Sequence, residues 1–226
     1  MKILAYTLSI IGIALAMPSA QDIGRNDDSS VALRPPPETV STIDLPNYLG
    51  RWYQMYASRI VLATYERDNT CVTADYGLNL DGSISVENSG RLKTPDGNLT
   101  QIQGFAYIPN PAYPGQLKVA FSIVPQPGDY WILKLGPKEE SFPSVPQYQY
   151  AIVSTPLRGQ LFVLARNIQQ FNARFNEEVL AFLKEEGFTT YLNEPVKTLQ
   201  NPECKYAGTN KQDTMKGIYY QNKKLF

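Results

Sequence analysis

The stretch Leu49-Gly50-Arg51-Trp52-Tyr53, read with Phe162-Val163-Leu164-Ala165-Arg166-Asn167 far downstream, decides the fold of this chain. Gly-x-Trp opens the first of a series of β-type runs, and an arginine closes the last. A guanidinium stacked on an indole can seal one end of a closed sheet. A barrel sealed at one end is a cup. Lined with apolar side chains, it is a container rather than a catalyst.

Working outward, short β-type runs alternate with turn residues at roughly 50–58, 71–80, 83–90, 100–108, 116–124, 129–135, 148–155 and 160–166. Asp81-Gly82 is a two-residue hairpin signal, and Pro95-Asp96-Gly97, Pro127-Gly128-Asp129 and Arg158-Gly159 mark further turns. Links this short predict up-and-down connectivity. One segment has helical period: Phe175, Val179, Phe182 and Leu183 form an apolar stripe within 172–186, with Asn172 placed to cap it and Gly187 to end it. The reading is all-β: an eight-stranded antiparallel up-and-down β-barrel with one C-terminal α-helix packed outside. An extended piece at 196–200 then leads to Cys204.

The flanks read differently. Residues 1–20 carry Lys2, an apolar run from Ile3 to Ala16 and small residues ending at Ala20, the pattern of an export signal cleaved after Ala16 or, preferably, Ala20. Residues 21–42 are polar and then proline-rich, a flexible leader; the barrel domain is expected over 43–205, and 206–226 form a basic polar tail. Export makes the protein extracellular and favours a disulfide between its only cysteines, Cys71 and Cys204, over free thiols. Asn98-Leu99-Thr100 is a glycosylation sequon, with Asn98 as acceptor.

Composition excludes several functions. Twenty-one Lys and Arg balance 21 Asp and Glu, so no net field draws a nucleic acid. Histidine is absent, which removes Ser-His-Asp and Cys-His arrangements and the commonest metal and haem ligand. No cofactor is called for and no enzyme is expected.

The motifs Gly50-x-Trp52-Tyr53, Cys71-Val72-Thr73-Ala74-Asp75-Tyr76, Gln101-Ile102-Gln103-Gly104-x-Ala106, Tyr130-Trp131-Ile132-Leu133, Tyr150-Ala151-Ile152-Val153 and Val163-Leu164-Ala165-Arg166-Asn167 occur in order, with the helix after them. This chain resembles the lipocalins, nearest the branch holding apolipoprotein D and the bacterial lipocalins. One departure stands out: where the family commonly has Thr-Asp-Tyr before strand seven, this chain has Val145-Pro146-Gln147 in a longer loop broken by Pro143 and Pro146. Lipocalin enzymes of the prostaglandin isomerase kind use a free cysteine in the cup, and both cysteines here are assigned to a bridge.

Strand alternation and the resemblance together nominate the cup wall. If Trp52 faces inward, so do Gln54, Tyr56 and Ser58; Arg166 at the closed end places Leu164 and Phe162 above it. The resemblance implies that Tyr48, Tyr76, Phe121, Tyr130 and Phe162 line the calyx, and parity adds Val119 and Ile132. Gly50, Trp52 and Arg166 are read as structural. The resemblance implies a carrier of a small hydrophobic ligand: fatty acid, lysolipid, sterol or retinoid, with a bilin as alternative. The rival reading is an extracellular interaction or matrix protein that uses the barrel as scaffold. The loop Ser58–Thr70, with apolar residues at 59–64, is expected to lie over the open end, where it can cover ligand, touch a membrane or receptor, or join a weak homodimer; the basic tail is a second candidate for such contact.

Overall fold

The computed structural model describes residues 34–141 and 145–208. The expected export signal, the leader up to residue 33 and the tail from 209 onward lie outside the described residues. After a helical turn α1 (Leu45–Tyr48), the barrel is built from β1 (Gly50–Ser58), β2 (Asn69–Leu78), β3 (Ile84–Leu92), β4 (Leu99–Tyr107), β5 (Gln116–Phe121) and β6 (Gly128–Leu135). A hairpin of β7 (Lys138–Ser141) and β8 (Val145–Tyr148) follows, and β9 (Tyr150–Ser154) and β10 (Leu161–Ala165) complete the wall. Each barrel strand pairs antiparallel with the next, and β10 pairs back onto β1, so the eight-stranded sheet closes. The proline-containing segment expected as an irregular loop instead carries the β7–β8 hairpin, in which Pro146 sits opposite Glu140.

Local chemistry sets the corners. Gly82, at φ +85°, turns β2 into β3, and the Asp81 carboxylate accepts from the Ser83 amide at 2.9 Å. Gly50 enters β1 at φ +96°, and a Cβ there would stand 3.4 Å from Arg166 Nη1, so the glycine of the opening motif serves both backbone and guanidinium.

Two apolar clusters result. The inner one fills the closed half of the barrel, around Trp52, Ile132, Leu117 and Val153. The outer one lies between the barrel wall and a helix that runs through α3 (Ile168–Gln170), a π-helical turn (Phe171–Phe175) and α4 (Asn176–Glu185). Phe171, Phe175, Val179 and Leu183 are its buried face. This helix starts earlier than its apolar stripe suggests. Its cap is Asn167, whose side chain accepts from the Gln170 amide at 2.9 Å, rather than Asn172, which is exposed within the π turn. Gly187, at φ +88°, ends it.

The ordered body also reaches beyond its expected limits. Val40 donates to the Ile132 carbonyl at 2.9 Å and packs on the inner cluster, so part of the segment read as flexible leader is fastened to the barrel. At the other end, Tyr206 packs edge-on against Tyr53, and Arg51 donates to the Ala207 carbonyl. Arg51 also forms a two-point ion pair with Asp75, at 2.9 and 2.7 Å, buried beneath this segment. Cys71 and Cys204 are joined, tying the C-terminal segment to β2. Along β1, pairing passes from β2 at Gly50–Tyr53 to a short β11 (Pro195–Lys197) at Tyr56–Ser58. The Gln200 amide bridges the seam, donating to the carbonyls of Gln54 at 3.0 Å and Val72 at 2.8 Å.

Candidate functional site: the barrel cavity

Arg166 closes the barrel. Its Cζ lies 3.5 Å from the centroid of the Trp52 ring, and its guanidinium donates to the carbonyls of Tyr148, Arg51, Asn47, Tyr48 and Leu49. Those carbonyls belong to α1, to its junction with β1 at Leu49, to the start of β1 and to the end of β8, so one side chain gathers these segments. Burial lowers the guanidinium's pKa, opposed by the nearby Tyr48, Tyr76 and Tyr130, and it remains a cation at neutral pH. Trp52 is fully buried, and its Nε1 donates to the Tyr48 carbonyl at 2.9 Å.

Above this plug lies a cavity of about 660 Å³. Its floor is a cluster of three tyrosines. The hydroxyls of Tyr48 and Tyr130 meet at 2.6 Å and those of Tyr76 and Tyr130 at 3.0 Å, while the Tyr48 and Tyr76 rings stack at 5.7 Å. Burial raises the pKa of Tyr48 and Tyr130 well above the ordinary range and that of Tyr76 to about 12, so all three keep their protons. Higher up, Val86, Val119, Phe121, Phe162 and Leu164 supply apolar wall.

Of the ten residues nominated for the wall, Tyr48, Gln54, Tyr76, Val119, Phe121, Tyr130, Phe162 and Leu164 border the cavity, and Tyr56 and Ile132 do not. Tyr56 lies outside the barrel: it belongs to the cluster under the helix, and its hydroxyl donates to Asn176 Oδ1 at 2.7 Å. The cause is a β-bulge. Gln54 pairs with Leu164, but the register slips before Tyr56, which pairs with Val163. Met55 and Tyr56 thus both face outward, and Ala57 takes the next inward position, opposite Phe162. Ile132 faces inward but is fully covered within the closed half. The Asn98 side chain is exposed in the turn between β3 and β4.

The loop after β1 is a short helix, α2 (Arg59–Ala63), followed by Thr64, Tyr65, Glu66 and Arg67 at the cavity. Of its apolar run, Val61 is fully buried, and Ile60 and Leu62 are half-buried. Glu66 belongs to none of the sequence motifs, yet among the described residues it and Asp129 are the carboxylates that border the cavity. It accepts from Gln54 Nε2 at 2.6 Å. Burial raises its pKa from 4.5 to about 7, only partly opposed by that hydrogen bond. No periodicity in the sequence marks it, because it comes from a loop folded against the seam.

Glu66 makes stability depend on pH with a definite sign. An unfolded chain releases this proton near 4.5, whereas the folded protein holds it to about 7. Between those values the folded state binds more protons, so this contribution is fully present below 4.5 and is lost as pH rises to 7. Glu66→Gln should therefore stabilise the protein at pH 8 by up to ~3 kcal/mol and change it little at pH 4. Denaturant titrations at the two pH values check this; an equal gain at both would assign the effect to something other than the charge.

Among the described residues, no group of carboxylates and cysteines could hold a metal ion, and no helix is long and apolar enough to cross a membrane.

Comparison with known proteins agrees with this architecture. Residues 43–197 match the family model described as a lipocalin-like domain. Temperature-induced lipocalin-1 of Arabidopsis thaliana is 29% identical over 192 residues, covering 81% of this chain and 92% of that protein. The outer membrane lipoprotein Blc of Vibrio cholerae is 34% identical over 151 residues, covering 67% of this chain and 80% of its own length. Mouse apolipoprotein D is 36% identical over 99 residues, covering 44% of this chain and about half (49%) of the relative. Among solved structures, insecticyanin from Manduca sexta superimposes with a TM-score of 0.54 at 18% identity, covering 76% of this chain and 89% of that one.

Proposed function

This chain belongs to the lipocalin family, and on that premise we propose that it is a secreted carrier holding one small hydrophobic molecule in its barrel. The observation that carries the reading is the cavity. At about 660 Å³ it lies within the range of about 300–1,000 Å³ in which sites for small organic ligands fall, and most of its lining surface is apolar. A cargo of fatty acid, lysolipid, sterol or retinoid size gains its affinity from apolar burial, at roughly 25 cal/mol per Å² before the costs of ordering. Secretion is supported by the apolar N-terminal run and by the Cys71–Cys204 bridge, which suits an oxidising compartment. The exposed Asn98 is where such a compartment would add a glycan.

The direct test is to purify the protein natively, extract it with organic solvent and identify what co-elutes by mass spectrometry. A stoichiometric lipid is expected, and titration of the emptied protein with it should change tryptophan fluorescence. An empty cavity with no response to a lipid panel would overturn the carrier reading in favour of a scaffold. Visible absorbance of the native protein would identify a pigment as cargo.

A further inference from the structure

The cavity floor has a hydrogen-bond imbalance that names the polar end of its cargo. A phenol has one donor hydrogen. The hydroxyls of Tyr48, Tyr130 and Tyr76 meet in two contacts, which use two of their three donors. Whichever way the hydroxyls rotate, one O–H is left over, and among the described residues no other acceptor receives it. The surplus donor faces a largely apolar cavity, so its acceptor has to come from what the cavity holds.

Charge narrows the choice. Arg166 lies beneath this floor, and its described partners are carbonyl oxygens and the face of Trp52. No carboxylate among the described residues pairs with it. A half-buried cation that no described carboxylate neutralises raises the potential at the floor, which favours an acceptor, above all an anionic one, and opposes a cationic donor. The charge is felt there: burial raises the pKa values of Tyr48 and Tyr76, and Arg166 opposes part of that rise. Elsewhere on the wall, Val119, Phe121, Phe162 and Leu164 give an alkyl chain an apolar path toward the mouth.

We propose that the cavity takes its cargo polar end first, as an aliphatic carboxylate whose head accepts a hydrogen bond from the Tyr48–Tyr130–Tyr76 hydroxyl chain above Arg166. This rests on the carrier reading and adds ligand class and orientation to it. The competing orientation puts the carboxylate at the mouth, against the exposed Arg67.

The test uses the full chain and two probes of equal alkyl length, palmitate and hexadecylamine, followed by tryptophan fluorescence or calorimetry. Palmitate should bind at least tenfold more tightly. In the triple variant Tyr48→Phe, Tyr76→Phe, Tyr130→Phe the rings and volume remain and every floor donor is gone. Palmitate affinity should then fall at least tenfold, about 1.4 kcal/mol, with hexadecylamine changed less than threefold. Should the triple variant not fold, palmitate labelled with ¹³C at its carboxyl, bound to the unaltered protein, decides the matter. Its carboxyl resonance should resist a soluble gadolinium chelate; relaxation as fast as that of free palmitate would place the head at the mouth and overturn the proposal. Equal binding of the two probes, or loss of both in a folded triple variant, would also overturn it while leaving the carrier reading standing. Binding of neither probe to the unaltered protein would remove the carrier reading itself.

Discussion

Trp52→Ala should lower stability by about 5 kcal/mol and leave the ligand affinity of the folded fraction within threefold. Replacing a large buried aromatic by alanine costs about 3–5 kcal/mol in lost burial and residual cavity. The upper end is expected because Trp52 is fully buried and also faces Arg166 at 3.5 Å, a desolvated contact worth about 2 kcal/mol. Its removal leaves the guanidinium beside a void and the Tyr48 carbonyl without the indole donor. A domain of this size should then melt roughly 10–20 °C lower. Affinity is spared because Trp52 does not border the cavity; Tyr48, packed on it at a centroid distance of 5.3 Å, stands between. Thermal denaturation followed by ligand titration well below the new midpoint separates the two effects. A small drop in melting temperature with a collapse of affinity would mean that Trp52 belongs to the binding wall.

What could be read from the residues alone follows from how local each determinant is. Gly50, Trp52 and Arg166 are legible because each is a rare choice with one strong reason: positive φ beside a guanidinium, a ring and its cation. The corner at Asp81-Gly82 is legible for the same cause. Parity from Arg166 correctly carried Leu164 and Phe162 to the inner face because β10 pairs with β9 without a slip. Parity from Trp52 failed two residues beyond Gln54, since the bulge at Met55 answers to a change of strand partner and to the helix packed outside, not to β1 itself. Ile132 shows a second limit: alternation gives a side chain its face but not its height, and height decides whether it meets cavity or plug. Glu66 and Val40 escaped because both act through segments without period, folded onto the barrel by contacts distant in sequence.

The second large effect is expected at the bridge. Cys71→Ser with Cys204→Ser should lower stability by up to ~5 kcal/mol, because the bond closes a loop of 133 residues and removes that freedom from the unfolded chain. A purely entropic staple would leave the folded protein unchanged, and here it should not. Cys71 lies at φ +54° in the register break between Thr70 and Thr73, and its amide donates to the Leu199 carbonyl at 2.9 Å. The segment it holds supplies β11 and the Gln200 amide, which spans the seam where β2 has left β1. Gln54 and Val72, the two residues that Gln200 joins through their carbonyls, both border the cavity. Loss of the bridge should therefore raise hydrogen exchange over 195–200 more than over β9 and speed ligand release, while β9 and β10 keep their protection until global unfolding. Exchange measured by mass spectrometry on the folded double variant reads this directly. If the loosening is uniform, the bridge acts through the unfolded chain alone; if it is confined to the seam, the disulfide is also what keeps that side of the wall closed.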